Sequence, residues 1–163
     1  MEGKRHVLSI LVENEPGVLS RVAGLFSGRG FNIESLNVGP TLDRGMSIMT
    51  ITTFGDEQII EQIVKQLRKL VTTIKVVDLT EHISVEREMV LLKVNAEDSR
   101  RAEILRIVDI FRCKVVDVSP EELTIEATGD RGKISAIFSM LQRFGIKEIA
   151  RTGTVALKRS LQD

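Results

Sequence analysis

The sequence predicts an α+β protein built from two tandem ferredoxin-like units, each with the element order βαββαβ. Two observations support this prediction. Short apolar runs that suit strands alternate with segments whose apolar residues recur at helical spacing, and the whole order occurs twice within 163 residues. Hydrophobic residues make up 42% of the chain, which is enough for two small cores.

The first unit is predicted over residues 1–80. Its strands are expected at 7–12, 31–38, 47–54 and 74–79. The first helix carries an apolar stripe from Val18 to Phe26, and Gly28-Arg29-Gly30 is expected to end it because glycine accepts the left-handed conformation. Asp56 is the expected N-cap of the second helix.

The second unit is predicted over residues 89–163, after a charged connector at 81–88. Its strands are expected at 89–94, 114–118, 123–127 and 149–157, the last bent at Gly153. Its two helices are marked by the apolar stripes Ile104–Phe111 and Ile134–Leu141. Asp98 or Ser99 is the expected cap of the first of these helices.

The composition excludes several classes of protein. Lys plus Arg and Asp plus Glu number 23 each, so the chain lacks the excess positive charge of a nucleic-acid binder. The single cysteine excludes an intrachain disulfide and a cysteine-rich zinc site, and two histidines are too few for a multi-histidine metal centre. No apolar run approaches the ~20 residues of a membrane helix, and we recognise no signal peptide. We therefore expect a soluble, cytoplasmic protein with few residues suited to catalysis and no metal site.

The predicted units also bear on assembly. A single-layer sheet leaves one face bare, and its outer strands offer backbone groups to another chain. A core of roughly 80 residues is marginally stable alone. We therefore expect self-association by edge-to-edge or face-to-face contact between sheets.

The loop between the first strand and the first helix is the most informative segment. Pro16 suits a helix start, and Gly17 lets a ligand approach the backbone. The first amides of the helix favour a carboxylate, and Asn14 offers a donor and an acceptor. This combination suits a free α-amino acid. The alternative is that these residues form only a tight turn before a capped helix.

The loop also carries a family resemblance. Asn14-Glu15-Pro16-Gly17-Val18-Leu19, followed by Arg21-Val22 and by Phe26 to Ile33, resembles the ligand loop and first helix of ACT domains. Residues 13–40 are similar, more narrowly, to the small regulatory subunit of acetohydroxyacid synthase, also called acetolactate synthase. This similarity continues through residues 55–79 and through Val85-Glu86-Arg87-Glu88 into the second unit.

The resemblance implies a regulatory chain without catalytic residues. It implies a large catalytic partner subunit that uses thiamine diphosphate, with magnesium and FAD, to make acetolactate or acetohydroxybutyrate. The small subunit raises the activity of that partner and confers feedback inhibition by valine, or in some members by leucine or isoleucine. The resemblance also implies a homodimer through the ACT domains, with the effector at their interface.

Site residues follow from the same resemblance. Asn14 and Gly17 match family positions that contact the effector, and Asn32 matches one that reaches it across the dimer. A branched side chain needs a small apolar pocket. The complete expected effector-binding set is Asn14, Pro16, Gly17, Val18, Leu19, Asn32 and Ile33.

Several other residues have more than one interpretation. Asn32 could simply finish a turn, and Gln62 either lies near the effector-sensitive surface or is a solvated polar residue. Arg100, Arg101 and Arg106 form either a local anion site or a solvated helix face. The turn at 41–47 is assigned no role, and Cys113 is expected to behave as a small buried hydrophobic residue.

Three other functions fit the predicted topology. One is a stand-alone ACT-type amino-acid sensor for a different enzyme. Another is an acylphosphatase-like enzyme, which needs an arginine where this chain has Glu13 and Glu15. A third is an RNA-recognition sheet, which needs aromatic residues for base stacking, whereas the chain has no Trp or Tyr.

Overall fold

The computed structural model describes residues 3–160. It contains two antiparallel sheets, each built with βαββαβ order, which confirms the predicted fold class. The described residues up to Val85, together with those from Gly153, form one compact unit, and Glu86–Thr152 form the other. Residues 153–160 therefore belong to the first unit, whereas the sequence places them in the second domain, 89–163.

The first unit has a four-stranded sheet covered on one face by two helices. Its elements are β1 (Lys4–Glu13), α1 (Val18–Ser27), β2 (Ile33–Pro40), β3 (Met46–Gly55), α2 (Glu57–Lys69), β4 (Thr73–Asp78) and a 3-10 turn (Leu79–Glu81). The strand order is β2-β3-β1-β4, so β2 is an edge strand. Because both β1 and β2 run antiparallel to β3, β1 and β2 point in the same direction.

The core of this unit follows from alternation along β1. Leu8 and Ile10 are fully buried, and they pack with Phe26 of α1 and Ile63 of α2 in one cluster. The side chain of Asp56 accepts a hydrogen bond from the amide of Gln58 (2.8 Å), so the predicted cap of α2 is confirmed. Such a cap contributes about 1 kcal/mol to stability.

The end of α1 differs in detail from the prediction. The helix ends at Ser27, and Gly28 keeps a right-handed conformation with φ −63°. The left-handed residue is Gly30, with φ +71°. The chain therefore makes one further turn before it enters β2.

Part of the helix-free face of the first sheet is covered by a strand from late in the same chain. Strand β9 (Val155–Lys158) places Ala156 in a small buried cluster with Val7 and Leu79. The amide of Arg159 donates to the carbonyl of Ile83 (2.8 Å). This contact joins residues that are far apart in sequence and therefore leaves no local signal. For that reason the sequence alone places the last strand in the second unit.

The second unit repeats the plan with the strand order β6-β7-β5-β8, and β9 also pairs with β5. Its elements are β5 (Ser84–Asn95), α3 (Asp98–Ile110), β6 (Lys114–Val118), β7 (Glu122–Gly129), α4 (Arg131–Leu141), a 3-10 turn (Gln142–Phe144) and β8 (Ile146–Arg151). The core of this unit includes the fully buried Leu92, Ile104 and Ile125.

Three predictions for this half are wrong. The connector expected at 81–88 is already strand from Ser84, and the single strand expected at 149–157 is split into β8 and β9. Helix α3 has Glu97 at its N-cap, without a side-chain hydrogen bond, rather than a cap at Asp98 or Ser99. Among residues 3–160, no helix is long and apolar enough to cross a membrane.

Candidate functional site

The loop that leaves β1 is held by the turn between β2 and β3. The amide of Asn14 donates to the carbonyl of Gly45 (2.8 Å), and its side-chain Nδ2 donates to the carbonyl of Arg44 (3.3 Å). The turn to which the sequence assigned no role therefore fixes Asn14. This arrangement leaves the side-chain oxygen of the exposed Asn14 as an acceptor for a ligand.

Gly17 is the N-cap of α1 and requires glycine for its backbone. Its φ of +85° lies in the left-handed region, which other residues rarely adopt. No side chain caps the helix, and the first turn contains no acidic residue. The amides at a helix start have no intrahelical acceptor. Those of Leu19 and Ser20 are therefore suited to a carboxylate oxygen supplied from outside.

The apolar residues of the loop have different environments. Val18 is only 3% exposed and belongs to the first core, so its side chain supports the helix start and does not line an open pocket. Leu19 is 45% exposed, and Pro16 is also exposed. Of these residues, Leu19 and Pro16 are the ones available to contact a ligand side chain.

Asn32 lies immediately before β2. Its side chain is exposed, and its carbonyl accepts a hydrogen bond from Oγ1 of Thr53 (2.6 Å). The next residue, Ile33, is half-buried at the margin of the first core. The Thr53 contact fixes the backbone at the start of β2 and does not involve the Asn32 side chain.

The structure does not bring Asn14 and Asn32 together within one chain. The end of β1 at Glu13 pairs with Met46, whereas the start of β2 at Ile33 pairs with Thr53. At 3.3 Å per residue, the β3 segment between these two pairs is about 23 Å long. The seven expected site residues therefore fall into a loop group at one end of the sheet and a β2 group at the other.

Arg21 is a residue of this loop region to which the sequence analysis gave no role. Its Nη2 lies 3.6 Å from the position that a Cβ on Gly17 would occupy, and its amide donates to the carbonyl of Gly17 (3.1 Å). The spacing of four residues places Arg21 one helical turn after Gly17, and arginine side chains on a helix extend toward its N-terminus. This four-residue spacing in the sequence could have predicted that Arg21 lies near Gly17.

The remaining candidates make contacts within the second unit or are exposed to solvent. Arg101 donates to the carbonyls of Ala96, Ser119 and Pro120, and Arg100 stacks on the ring of Phe144 at 5.1 Å. Gln62 is solvent-exposed on α2. Within the described ranges, no group of three or more His, Cys, Asp or Glu residues is arranged to hold a metal ion.

Cys113 occupies a structural position. It is half-buried and packs against the second core, as a small hydrophobic residue does. Burial raises the pKa of its thiol, so the reactive thiolate is disfavoured at neutral pH.

Comparisons with known proteins match both halves of the chain. Residues 8–75 match the model of the AHAS small subunit-like ACT domain, and residues 87–160 match the model of the small subunit of acetolactate synthase. The chain is 55% identical to the acetolactate synthase small subunit of Aquifex aeolicus, over 97% of this chain and 83% of that protein. The chain belongs to the small-subunit family of acetolactate synthase.

Two further relatives support this membership. A probable acetolactate synthase small subunit of Archaeoglobus fulgidus is 53% identical over 95% of this chain and 97% of that protein. The crystal structure of the small subunit from Thermotoga maritima matches with a TM-score of 0.87 and 46% identity, and it covers 98% of this chain and 99% of that chain. Membership of this family supports a regulatory rather than a catalytic role for the chain.

Proposed function

We propose that this chain activates the catalytic subunit of acetolactate synthase and confers feedback inhibition by a branched-chain amino acid, with valine as the first candidate. Family membership supports a catalytic partner, which would carry the thiamine diphosphate, magnesium and FAD. The observation that carries the effector proposal is the loop from Asn14 to Leu19, where a helix start without a side-chain cap follows a left-handed glycine.

The loop offers complementary groups to each part of a free amino acid. The amides of Leu19 and Ser20 suit the carboxylate, and the side-chain oxygen of Asn14 suits the ammonium group. The exposed side chain of Leu19 suits an aliphatic side chain. A small zwitterion with a branched apolar tail satisfies all three.

We further propose that two copies pair through β2 to complete the site. The helix-free face of the first sheet already holds Ala156 of β9, which disfavours pairing through that face. Strand β2 is at the sheet edge, and Val38 on it is 45% exposed. Edge strands are the common sites of pairing between chains.

Antiparallel pairing of two β2 strands explains why Asn32 belongs to the site. A two-fold axis sets the start of one β2 beside the end of the other. Because β1 and β2 point in the same direction, the end of β2 is on the Asn14 side of the sheet. Asn32 of a second copy would therefore approach the Asn14 loop of the first.

Regulation then follows from differential binding. An effector held between two copies favours one arrangement of the pair, and a catalytic subunit that distinguishes the arrangements responds to it. The synthase would respond in the cytoplasm, where the single cysteine of this chain stays reduced.

The test begins with the purified chain. Calorimetric titrations with valine, leucine and isoleucine, with threonine as a control, should give heat for at least one branched amino acid and none for threonine. Sedimentation should show a dimer that the same amino acid stabilises. The chain should also copurify with a thiamine-dependent synthase and make its activity valine-sensitive. Copurification with a different enzyme would instead support a stand-alone amino-acid sensor.

A further inference from the structure

The guanidinium of Arg21 lies near the start of α1, where a positive charge is electrostatically unfavourable. Its Nη2 lies 3.6 Å from the position of a Cβ on Gly17, at the start of α1. A helix start carries a partial positive charge, so a cation beside it is destabilising. The first turn of α1 contains no acidic residue to offset this charge.

Arg21 also differs from several other arginines of the chain. Arg143 pairs with Glu103, and Arg151 pairs with Glu88. None of the ion pairs formed within residues 3–160 includes Arg21, although Glu13 and Glu15 occur in the neighbouring loop. The exposed guanidinium of Arg21 is therefore positioned over Gly17 without a carboxylate of the described chain as its counterion.

We propose that Arg21 binds the carboxylate of the effector and so restricts the site to free amino acids. The proposal rests on the function proposed above. A guanidinium presents a planar set of donors that matches the two oxygens of a carboxylate. With the amides of Leu19 and Ser20 on the other side, the carboxylate would be held between backbone donors and a full positive charge.

This role has two consequences of opposite sign. Replacement of Arg21 by glutamine removes a charged donor, so valine affinity should fall by about tenfold or more. The same replacement removes a cation from the start of α1, so the free chain should keep or raise its melting temperature. An arginine that only supported the fold would instead lower both affinity and melting temperature.

The experiment compares the wild-type chain with Arg21→Gln and with a control variant, Arg106→Gln, at an exposed position on α3. Each is titrated with valine and with valinamide, whose neutral amide replaces the carboxylate. We expect wild type and Arg106→Gln to prefer valine strongly. Arg21→Gln should lose most of that preference, with valine weakened and valinamide unchanged.

Two results would overturn the role of Arg21. One is valine affinity in Arg21→Gln within twofold of wild type. The other is equal affinity of the wild-type chain for valine and valinamide, which needs no variant. If the wild-type chain binds none of valine, leucine or isoleucine, the proposed function itself fails and the role of Arg21 fails with it.

Discussion

Asn14 and Asn32 flank opposite ends of one sheet. Asn14 follows Glu13, which pairs with Met46 at the start of β3, and Asn32 precedes Ile33, which pairs with Thr53 near its end. The separation is about 23 Å along the strand. A valine molecule cannot span that distance, so a ligand that contacts both asparagines must contact two copies of the chain.

Gly17 provides the first prediction. Gly17→Asp places a β-carbon on a backbone with φ +85° and sets a carboxylate beside Arg21, where the effector carboxylate is expected. The left-handed backbone costs about 1–2 kcal/mol for a residue other than glycine. We expect inhibition by valine to be lost in the reconstituted synthase, and the valine-free rate reports whether the variant still docks.

Gly24→Asp is the matched control for this change. It adds the same carboxylate to the same helix, at an exposed position where a β-carbon meets no atom within 4 Å. We expect this variant to remain sensitive to valine. If Gly17→Asp keeps valine inhibition at the level of Gly24→Asp, the effector does not bind at this loop.

The edge strand provides the second prediction. Val38→Lys adds a charge to β2 at a side chain that is 45% exposed, and lysine on an edge strand opposes pairing. We expect the dimer dissociation constant, measured by sedimentation, to rise at least tenfold. Val71 lies outside the strands and is 94% exposed, so Val71→Lys should leave the dimer dissociation constant unchanged. Equal dimerisation of both variants would exclude β2 as the interface.

The covered face provides the third prediction. Ala156 is 8% exposed in the cluster with Val7 and Leu79, so Ala156→Asp buries a carboxylate among apolar residues. We expect the free energy of unfolding in urea to fall by about 2 kcal/mol or more. The neighbouring Leu157 is 71% exposed, so Leu157→Asp should change the free energy of unfolding by less than about 0.5 kcal/mol. Similar losses in both variants would contradict the packing of β9 on this face.

Local signals in the sequence were sufficient for most of the fold. The amphipathic stripe of α2 and its Asp56 cap lie within a few residues of each other, and the structure has both. The strand expected at 114–118 has the same bounds in the structure. Such features depend on neighbours along the chain, so one sequence is enough to predict them.

Distant contacts account for the errors. Glu88 is 8% exposed and pairs with Arg151, 63 residues later, so a charged segment that resembles a connector is in fact part of β5. The return of Ala156 to the first sheet depends on a contact with Val7 at the other end of the chain. Periodicity carries no information about such pairs.

The candidate site was predictable in part for the same reason. Gly17 has the left-handed backbone that its sequence context favours, and the loop precedes a helix as expected. The core position of Val18, the support of Asn14 by Arg44, and the reach of Arg21 back to Gly17 depend on side-chain packing. Only a structure supplies that information.

A mixing experiment tests most directly whether the effector site is shared between two copies. Asn14→Ala and Asn32→Ala should each weaken valine binding by about 1–3 kcal/mol. When equal amounts of the two variants exchange subunits, a mixed dimer contains one site with both asparagines intact. We expect titration of this mixture with valine to show about one quarter of all sites with wild-type affinity. A mixture in which every site keeps the weakened affinity of the separate variants would contradict the shared site.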